Sequence, residues 1–277
     1  MELAEEKEPT KGELPEVRWS NIENLEGGSE SDRFELTGGT LSGTIDGQGG
    51  DDTFAGDDVD NTFTIATLNS GTATGVSGFS NIENLEGGSE SDRFELTGGT
   101  LSGTIDGQGG DDIFAGNDVN NTFTVNDSNS GTATGINGFS NIENLEGGSE
   151  SDRFELVGGT LSGTIDGQQG DDTFAGDDVA NTFTIAGLNS GTATGINGLS
   201  NIENLEGGTQ SDRFELTGGT LSGTIDGQGG DDTFTGDDVD NTFTIATLNS
   251  GTATGVSGFS NIENIIVTGK QIGRAHV

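Results

Sequence analysis

The chain has 277 residues, no cysteine, and 9 Lys and Arg against 48 Asp and Glu, a formal net charge of −39. That balance excludes a nucleic-acid partner and an anionic membrane surface, both of which need a basic footprint. The missing cysteines exclude disulfide support, and no apolar run reaches the ~20 residues that a membrane-spanning helix requires.

Residues 1–19 form an acidic N-terminal segment that holds both prolines, Pro9 and Pro15. It lacks the apolar core of a signal peptide and reads as disordered, joined to the end of a preceding repeat. From Ser20 the chain repeats itself with a period of 60 residues and no slippage: residues 20–79, 80–139, 140–199 and 200–259, with a fifth copy beginning over 260–268. The first and fourth copies differ only at Ser29/Thr209, Glu30/Gln210 and Ala55/Thr235. The tail, residues 269–277, carries the only histidine, His276. Its last seven residues, from Gln271, read as a translated sequencing-library adapter and are set aside. A fixed period signals a stacked, quasi-one-dimensional architecture. It also argues against a single active site, because every pocket would exist four times.

Within one copy, a step of 20 aligns Leu25, Ile45 and Ile65, then Leu85; it also aligns Phe34 with Phe54, Glu26 with Asp46, and Asp32 with Asp52. Alternating stretches such as Leu41-x-Gly43-x-Ile45 and Phe63-x-Ile65 fit short strands. Clusters of Gly, Asn, Asp and Ser break them, and no 3.6-residue apolar period argues for helices. The expected fold is all-β: a right-handed parallel β-solenoid, β-helix-like or β-roll-like, with about three coils per 60-residue repeat. Four copies would give about twelve coils and, at ~4.8 Å per coil, a rod near 6 nm long. Ile45, Phe54 and Phe63 recur unchanged in every copy and read as inward columns. Thr53/Ile113, Leu68/Ser128 and Asp60/Asn120/Ala180 vary and read as outward ones. Trp19 occupies the slot of Phe79, Phe139, Leu199 and Phe259.

A nine-residue rhythm overlies this, spacing Gly38, Gly47 and Gly56, and likewise Ile45, Phe54 and Phe63. The segment Gly47-Gln-Gly-Gly-Asp-Asp-Thr-Phe-Ala55 matches the nonapeptide G-G-x-G-x-D-x-U-x except at Gln48, and Gly27-Gly-Ser-Glu-Ser-Asp-Arg-Phe-Glu35 matches except at Glu30. In these segments the chain resembles the RTX, or haemolysin-type calcium-binding, repeat proteins of large bacterial secreted and surface adhesins. The resemblance implies Ca²⁺ held between coils by motif aspartates and loop carbonyls. The matching positions are Asp52, Asp112, Asp172 and Asp232, and in the weaker motif Asp32, Asp92, Asp152 and Asp212. The third nonapeptide departs, with Val59 for glycine and Asn61 for aspartate. The family coil of eighteen residues does not divide 60, so a coil length of 18 or 20 stays open.

Stacking at a period of 20 supplies a separate argument for cations. It sets Asp32 near Asp52, and Glu26 near Asp46, at about 4.8 Å, where two carboxylates repel by roughly 1 kcal/mol in water and several-fold more at low dielectric. Hard oxygen ligands suit Ca²⁺. The candidate metal set adds Asp46, Asp106, Asp166 and Asp226, and Asp51, Asp111, Asp171 and Asp231 beside the motif aspartates. The alternative is that these groups fan into solvent or are screened by Arg33, Arg93, Arg153 and Arg213.

The function expected is a repetitive structural or adhesive stalk of a secreted or cell-surface bacterial protein, extracellular, binding calcium ions and possessing no catalytic residues. Cell-surface glycans and self-association through the solenoid ends are the other expected partners. A carbohydrate-active β-helix enzyme is the first alternative, weakened because the repeats hold no His, Lys, Tyr or Cys. The second is an ice-binding or glycan-binding face built on Thr62/Thr64 and Thr72/Thr74.

Overall fold

The computed structural model describes residues 21–268. Trp19, the acidic N-terminal segment, and the tail with its adapter-like end and His276 lie outside the described residues.

The first copy forms β1 (Leu25–Glu26), β2 (Arg33–Glu35), β3 (Leu41–Asp46), β4 (Thr53–Ala55), β5 (Thr62–Thr67), β6 (Ser70–Ala73) and β7 (Val76–Ser80). The second forms β8 (Asn84–Gly88), β9 (Arg93–Leu96), β10 (Thr104–Gln108), β11 (Ile113–Ala115), β12 (Thr122–Asp127), β13 (Ser130–Ala133) and β14 (Ile136–Ser140). The third forms β15 (Asn144–Gly148), β16 (Arg153–Leu156), β17 (Thr164–Gln168), β18 (Thr173–Ala175), β19 (Thr182–Gly187), β20 (Ser190–Ala193) and β21 (Ile196–Ser200). The fourth forms β22 (Asn204–Gly208), β23 (Arg213–Leu216), β24 (Leu221–Gln228), β25 (Thr233–Thr235), β26 (Phe243–Thr247), β27 (Ser250–Ala253) and β28 (Val256–Ser260), and β29 (Asn264–Ile266) opens the fifth. Among the described residues there is no helix.

These strands make two sheets. One has 15 strands in the order β1-β3-β7-β6-β5-β9-β11-β15-β17-β21-β20-β19-β23-β25-β29. The other has 14, in the order β2-β4-β8-β10-β14-β13-β12-β16-β18-β22-β24-β28-β27-β26. The chain crosses between the sheets at each visit, and one copy makes five visits, the last a three-stranded antiparallel meander (β5–β7, β12–β14, β19–β21, β26–β28). Among the described residues the only antiparallel pairings lie inside these meanders, and every other pairing is parallel. Five is odd, so each copy begins on the sheet opposite to its predecessor. Equivalent strands return to the same sheet after 120 residues: β1, β15 and β29 lie seven places apart in the first sheet. Its fourteen inter-strand steps, at ~4.8 Å each, span about 67 Å.

The 20-residue register holds in the first part of each copy. Leu25 pairs with Ile45, Glu26 with Asp46, and Phe34 with Phe54. It ends where the meander begins. The neighbour of Ile45 on its other side is Phe79, and Ile65 lies against Leu96. The cause is local. After β4 the chain runs on to a strand three places along the sheet and folds back through two tight turns, so Ile65 joins a column other than the one its spacing suggests. The two and a half windings that result stand where about three are expected.

Alternation along each strand sorts the side chains. Phe94 and Leu96 are buried, while Arg93 and Glu95 are half-buried on the outer side. The inward columns meet between the sheets. Phe54 packs edge-on to Phe63 across the core, with ring centroids 5.7 Å apart, and Phe63 stacks on Phe94 of the next strand at 4.9 Å. The same stack recurs as Phe123 on Phe154 and Phe183 on Phe214. The expected inward residues Ile45, Phe54 and Phe63 are fully buried. Leu68, expected to face outward, is 63% exposed at the tip of its hairpin.

Candidate metal centre: the aspartate corners

Each motif aspartate stands just before a short strand, at the corner where the chain turns from one sheet to the other. At the end of β10, Asp106 Oδ1 accepts the N–H of Gln108 at 3.0 Å, where a side chain takes over a backbone bond as the chain turns toward β11. Gln108 follows with φ +67, and Gly110 with φ +129. Where the nonapeptide pattern has its second glycine, this chain has a glutamine that adopts the left-handed conformation. Its side chain, through Nε2, donates to Glu86 at 2.7 Å.

Asp112 then turns inward. Its Oδ1 accepts the N–H of Asp92 at 2.7 Å, and its own N–H donates to Glu143 Oε2 at 2.9 Å. Asp92 Oδ1 in turn accepts from Asn61, through the backbone N–H at 2.7 Å and Nδ2 at 3.0 Å. Asn61, Asp92, Asp112 and Glu143 therefore form a column up one edge of the sheet pair, each group closing on the next pass of the chain. The same column recurs as Asn121–Asp152–Asp172–Glu203 and Asn181–Asp212–Asp232–Glu263. The asparagine at position 61, where the nonapeptide pattern has aspartate, has a physical reason. An aspartate at position 61 would set a carboxylate against that of Asp92, whereas Asn61 supplies it with a donor.

The second carboxylate oxygen of this set is orphaned. Oδ2 of Asp52, Asp92, Asp112, Asp152, Asp172, Asp212 and Asp232 is buried without a hydrogen-bond partner. Each lies against the glycine five residues earlier, where a Cβ on Gly107 would come within 2.4 Å of Asp112 Oδ2. Burial pushes Asp112 and Asp172 up to about 7 and Asp232 up to about 6, and the neighbouring Asp and Glu charges push the same way. Burial also raises Asp92, Asp152 and Asp212, against the hydrogen bonds from their asparagines.

The sixteen candidate ligands thus fall into two sets. Asp52, Asp92, Asp112, Asp152, Asp172, Asp212 and Asp232 are buried in the corners, and Asp32 is the half-buried first member, its Oδ2 accepting from Gly28 N–H at 2.7 Å. The others face outward and hold asparagines. Asp46, Asp106, Asp166 and Asp226 accept from Asn81, Asn141, Asn201 and Asn261. Asp51, Asp111, Asp171 and Asp231 accept from Asn84, Asn144, Asn204 and Asn264. The bond from Asn81, then that from Gln48 N–H, holds the Asp46 carboxyl below its ordinary range. Among the described residues, no three or more His, Cys, Asp or Glu side chains gather as a metal-holding group.

The arginines screen acids other than the paired aspartates. Arg93 on β9 reaches across the intervening β11 and grips Glu146 on β15 with two bonds, at 3.0 and 2.7 Å. Ala115, small and buried, lies in register between Glu95 and Glu146. Arg33–Glu86 and Arg153–Glu206 repeat the staple. In the fourth copy Thr235 replaces the alanine and Ile266 stands where the glutamate would be, so Arg213 turns to Glu215. Replacing Arg93 by Met is expected to lower stability by about 1 kcal/mol, as for a half-exposed bidentate pair. Arg213→Met, lacking the cross-strand glutamate, should lose less, and urea unfolding of both variants checks the ordering.

The threonine pairs of the sequence meet across the meander. Thr64 pairs with Thr72, and Thr62 N–H donates to Thr74 Oγ1 at 2.9 Å. They form one small patch per copy, on alternating sheets, and no continuous ladder.

Protein-family models give no match to this chain, and no curated protein matches it significantly.

Proposed function

We propose that this chain is a section of a repetitive structural or adhesive stalk, folded as a right-handed parallel β-solenoid, in a large secreted or surface-attached bacterial protein. One observation carries the reading. Each sheet grows by seven strands for every 120 residues, with the same strands, corners and staples recurring, so added copies change length and leave the chemistry alone. Quasi-one-dimensional folds are additive in this way. No copy bears a distinctive loop, and the reading is non-catalytic. Adhesion to cell-surface glycans belongs to the same proposal.

Calcium ions support the fold in this reading. The buried corner aspartates, from Asp52 to Asp232, are the residues that would hold them, because their orphaned Oδ2 atoms have no other partner. The cation would supply positive charge that offsets the clustering of carboxylates; the outward aspartates, already holding asparagines, have a turn-forming role.

Removing residues 80–199 tests both parts. The shortened chain should fold with the same far-ultraviolet spectrum, and its X-ray scattering should report a rod shorter by about 34 Å, seven strand spacings. Loss of the β signal would overturn the additive reading. For the full chain, Ca²⁺ should raise the melting temperature above that in EGTA, while matched NaCl does not; equal melts would sink the calcium claim alone.

A further inference from the structure

The third meander departs from its counterparts at the centre of its core. Leu199 stands where β7, β14 and β28 carry Phe79, Phe139 and Phe259. Each of those rings packs on a phenylalanine of the facing sheet, with centroids 6.1 Å apart for Phe54–Phe79 and Phe114–Phe139 and 5.9 Å for Phe234–Phe259. Leu199 gives Phe174 no such ring. Phe174 also lies farther from Phe183, at 6.1 Å, against 5.7 Å for both Phe54–Phe63 and Phe114–Phe123. A cavity of about 10 Å³ opens beside Leu199, bounded by Ile185, Ile202, Leu205, Leu221 and residues of β20. It has room for one water at most, and its walls are mainly apolar, so the lost contacts are not replaced. The hairpin of the same meander is weakened as well. Gly187 pairs with Ser190 at the position that Thr67, Asp127 and Thr247 hold elsewhere. Asp127 Oδ1 accepts the N–H of Ser128 at 2.8 Å, and Thr247 bonds Ser250. Glycine offers no side chain there and has more freedom to lose on folding. Its φ is not left-handed, so the turn does not require it. The second meander has Val125 for Ile185, and that side chain is still fully buried.

Topology lets one meander open alone. β19–β21 lie between β17 and β23 in one sheet, while the other sheet passes directly from β18 to β22, which pair in register. Lifting the meander away therefore leaves the flanking copies joined through β18 and β22. We propose that the meander of the third copy is a strap that opens ahead of that of the second, a preset yield point in an otherwise repetitive fold. The second meander sits between β10 and β16 in the same way, with β11 and β15 paired behind it, so the difference arises from the substitutions inside the third. Opening would uncover Phe174 and Phe214, which Phe183 now covers. In a stalk under load, length would be released there first. The inference itself needs neither the stalk reading nor bound calcium.

Hydrogen exchange of the full chain, read by mass spectrometry, tests this, because amide exchange reports local opening. The comparison is between residues 122–140 and 182–200, which differ in sequence, whereas 60–79 and 240–259 are identical. Amides of β19–β21 should exchange about tenfold faster than those of β12–β14, the effect of a modest core truncation. Leu199→Phe/Gly187→Thr restores the residues of the first copy and should bring the two rates together. Phe139→Leu/Asp127→Gly should transfer the fast exchange to the second copy. Equal exchange of the two meanders in the parent chain overturns the inference. So does fast exchange over 182–200 that Leu199→Phe/Gly187→Thr leaves unchanged, or a Phe139→Leu/Asp127→Gly variant whose 122–140 amides exchange no faster than before.

Discussion

Acidification from pH 8 to pH 5 should raise the melting temperature of this chain, with the steepest change between about pH 7 and pH 5. Asp112 and Asp172 titrate near 7 in the fold and Asp232 near 6, against 3.8 for the ordinary group. Between those limits the folded state binds more protons than the unfolded chain, so stability falls as pH rises through the window. Below about pH 4 both states are protonated and the gain levels off. A shift of about three pH units in one group corresponds to roughly 4 kcal/mol. Asp112 and Asp172 are such groups and Asp232, shifted by about two pH units, adds less; together the effect is large beside a typical domain stability of ~5–15 kcal/mol. The variant Asp112→Asn/Asp172→Asn/Asp232→Asn tests this assignment. Each amide oxygen can still accept the neighbouring N–H, so the variant should fold, and its melting temperature should depend much less on pH. An unchanged slope would place the titration elsewhere.

The replacement Gly107→Ala should be strongly damaging, lowering stability by about 3 kcal/mol or more, at or beyond the upper range for overpacking. A Cβ there would lie 2.1 Å from the carbonyl oxygen of Asn141 and 2.4 Å from Asp112 Oδ2. Neither neighbour can retreat. The carbonyl belongs to the backbone, and the carboxylate is held by the N–H of Asp92. Two residues along the same loop, the nearest atom to a Cβ on Gly109 would be 3.7 Å away, and its φ is not left-handed. Gly109→Ala should therefore melt close to the parent. Thermal unfolding of the pair tests the account, and two equal melting temperatures would refute it. The contrast gives the five-residue spacing from glycine to aspartate a cause: the carboxylate packs where a side chain would be.

Much of this was legible in the sequence, for reasons that can be named. The recurrence of Ile45, Phe54 and Phe63 marks buried columns because a two-residue alternation leaves no other place for large apolar groups. Leu25/Ile45 and Phe34/Phe54 pair as their spacing of 20 suggests. The meander is only faintly marked. Leu68-Asn-Ser-Gly71 separates two Thr-x-Thr runs, and a turn cluster between alternating runs is a hairpin mark. Asn69 takes φ +52 in that turn. The uniform period of 60 favours steps that divide it evenly, and such steps conceal the reversal within it. The corners were half legible. The motif aspartates could be found from their glycines. That Asn61 supplies the hydrogen bonds received by Asp92, and that Arg93 reaches Glu146 rather than an aspartate, depends on strands 31 and 53 residues apart meeting at an edge. No local pattern encodes that.

The odd number of sheet visits per copy has a mechanical consequence. A meander on one sheet adds strands that the opposite sheet lacks at that level, a local imbalance between the two faces. Were every copy related to the next by translation alone, the imbalance would accumulate and curl the axis toward one face. Here the next copy places its meander on the other side, so the two flexures should oppose each other and keep the axis straight on average. Resistance to bending should then be equal toward either broad face, whichever way a load is applied.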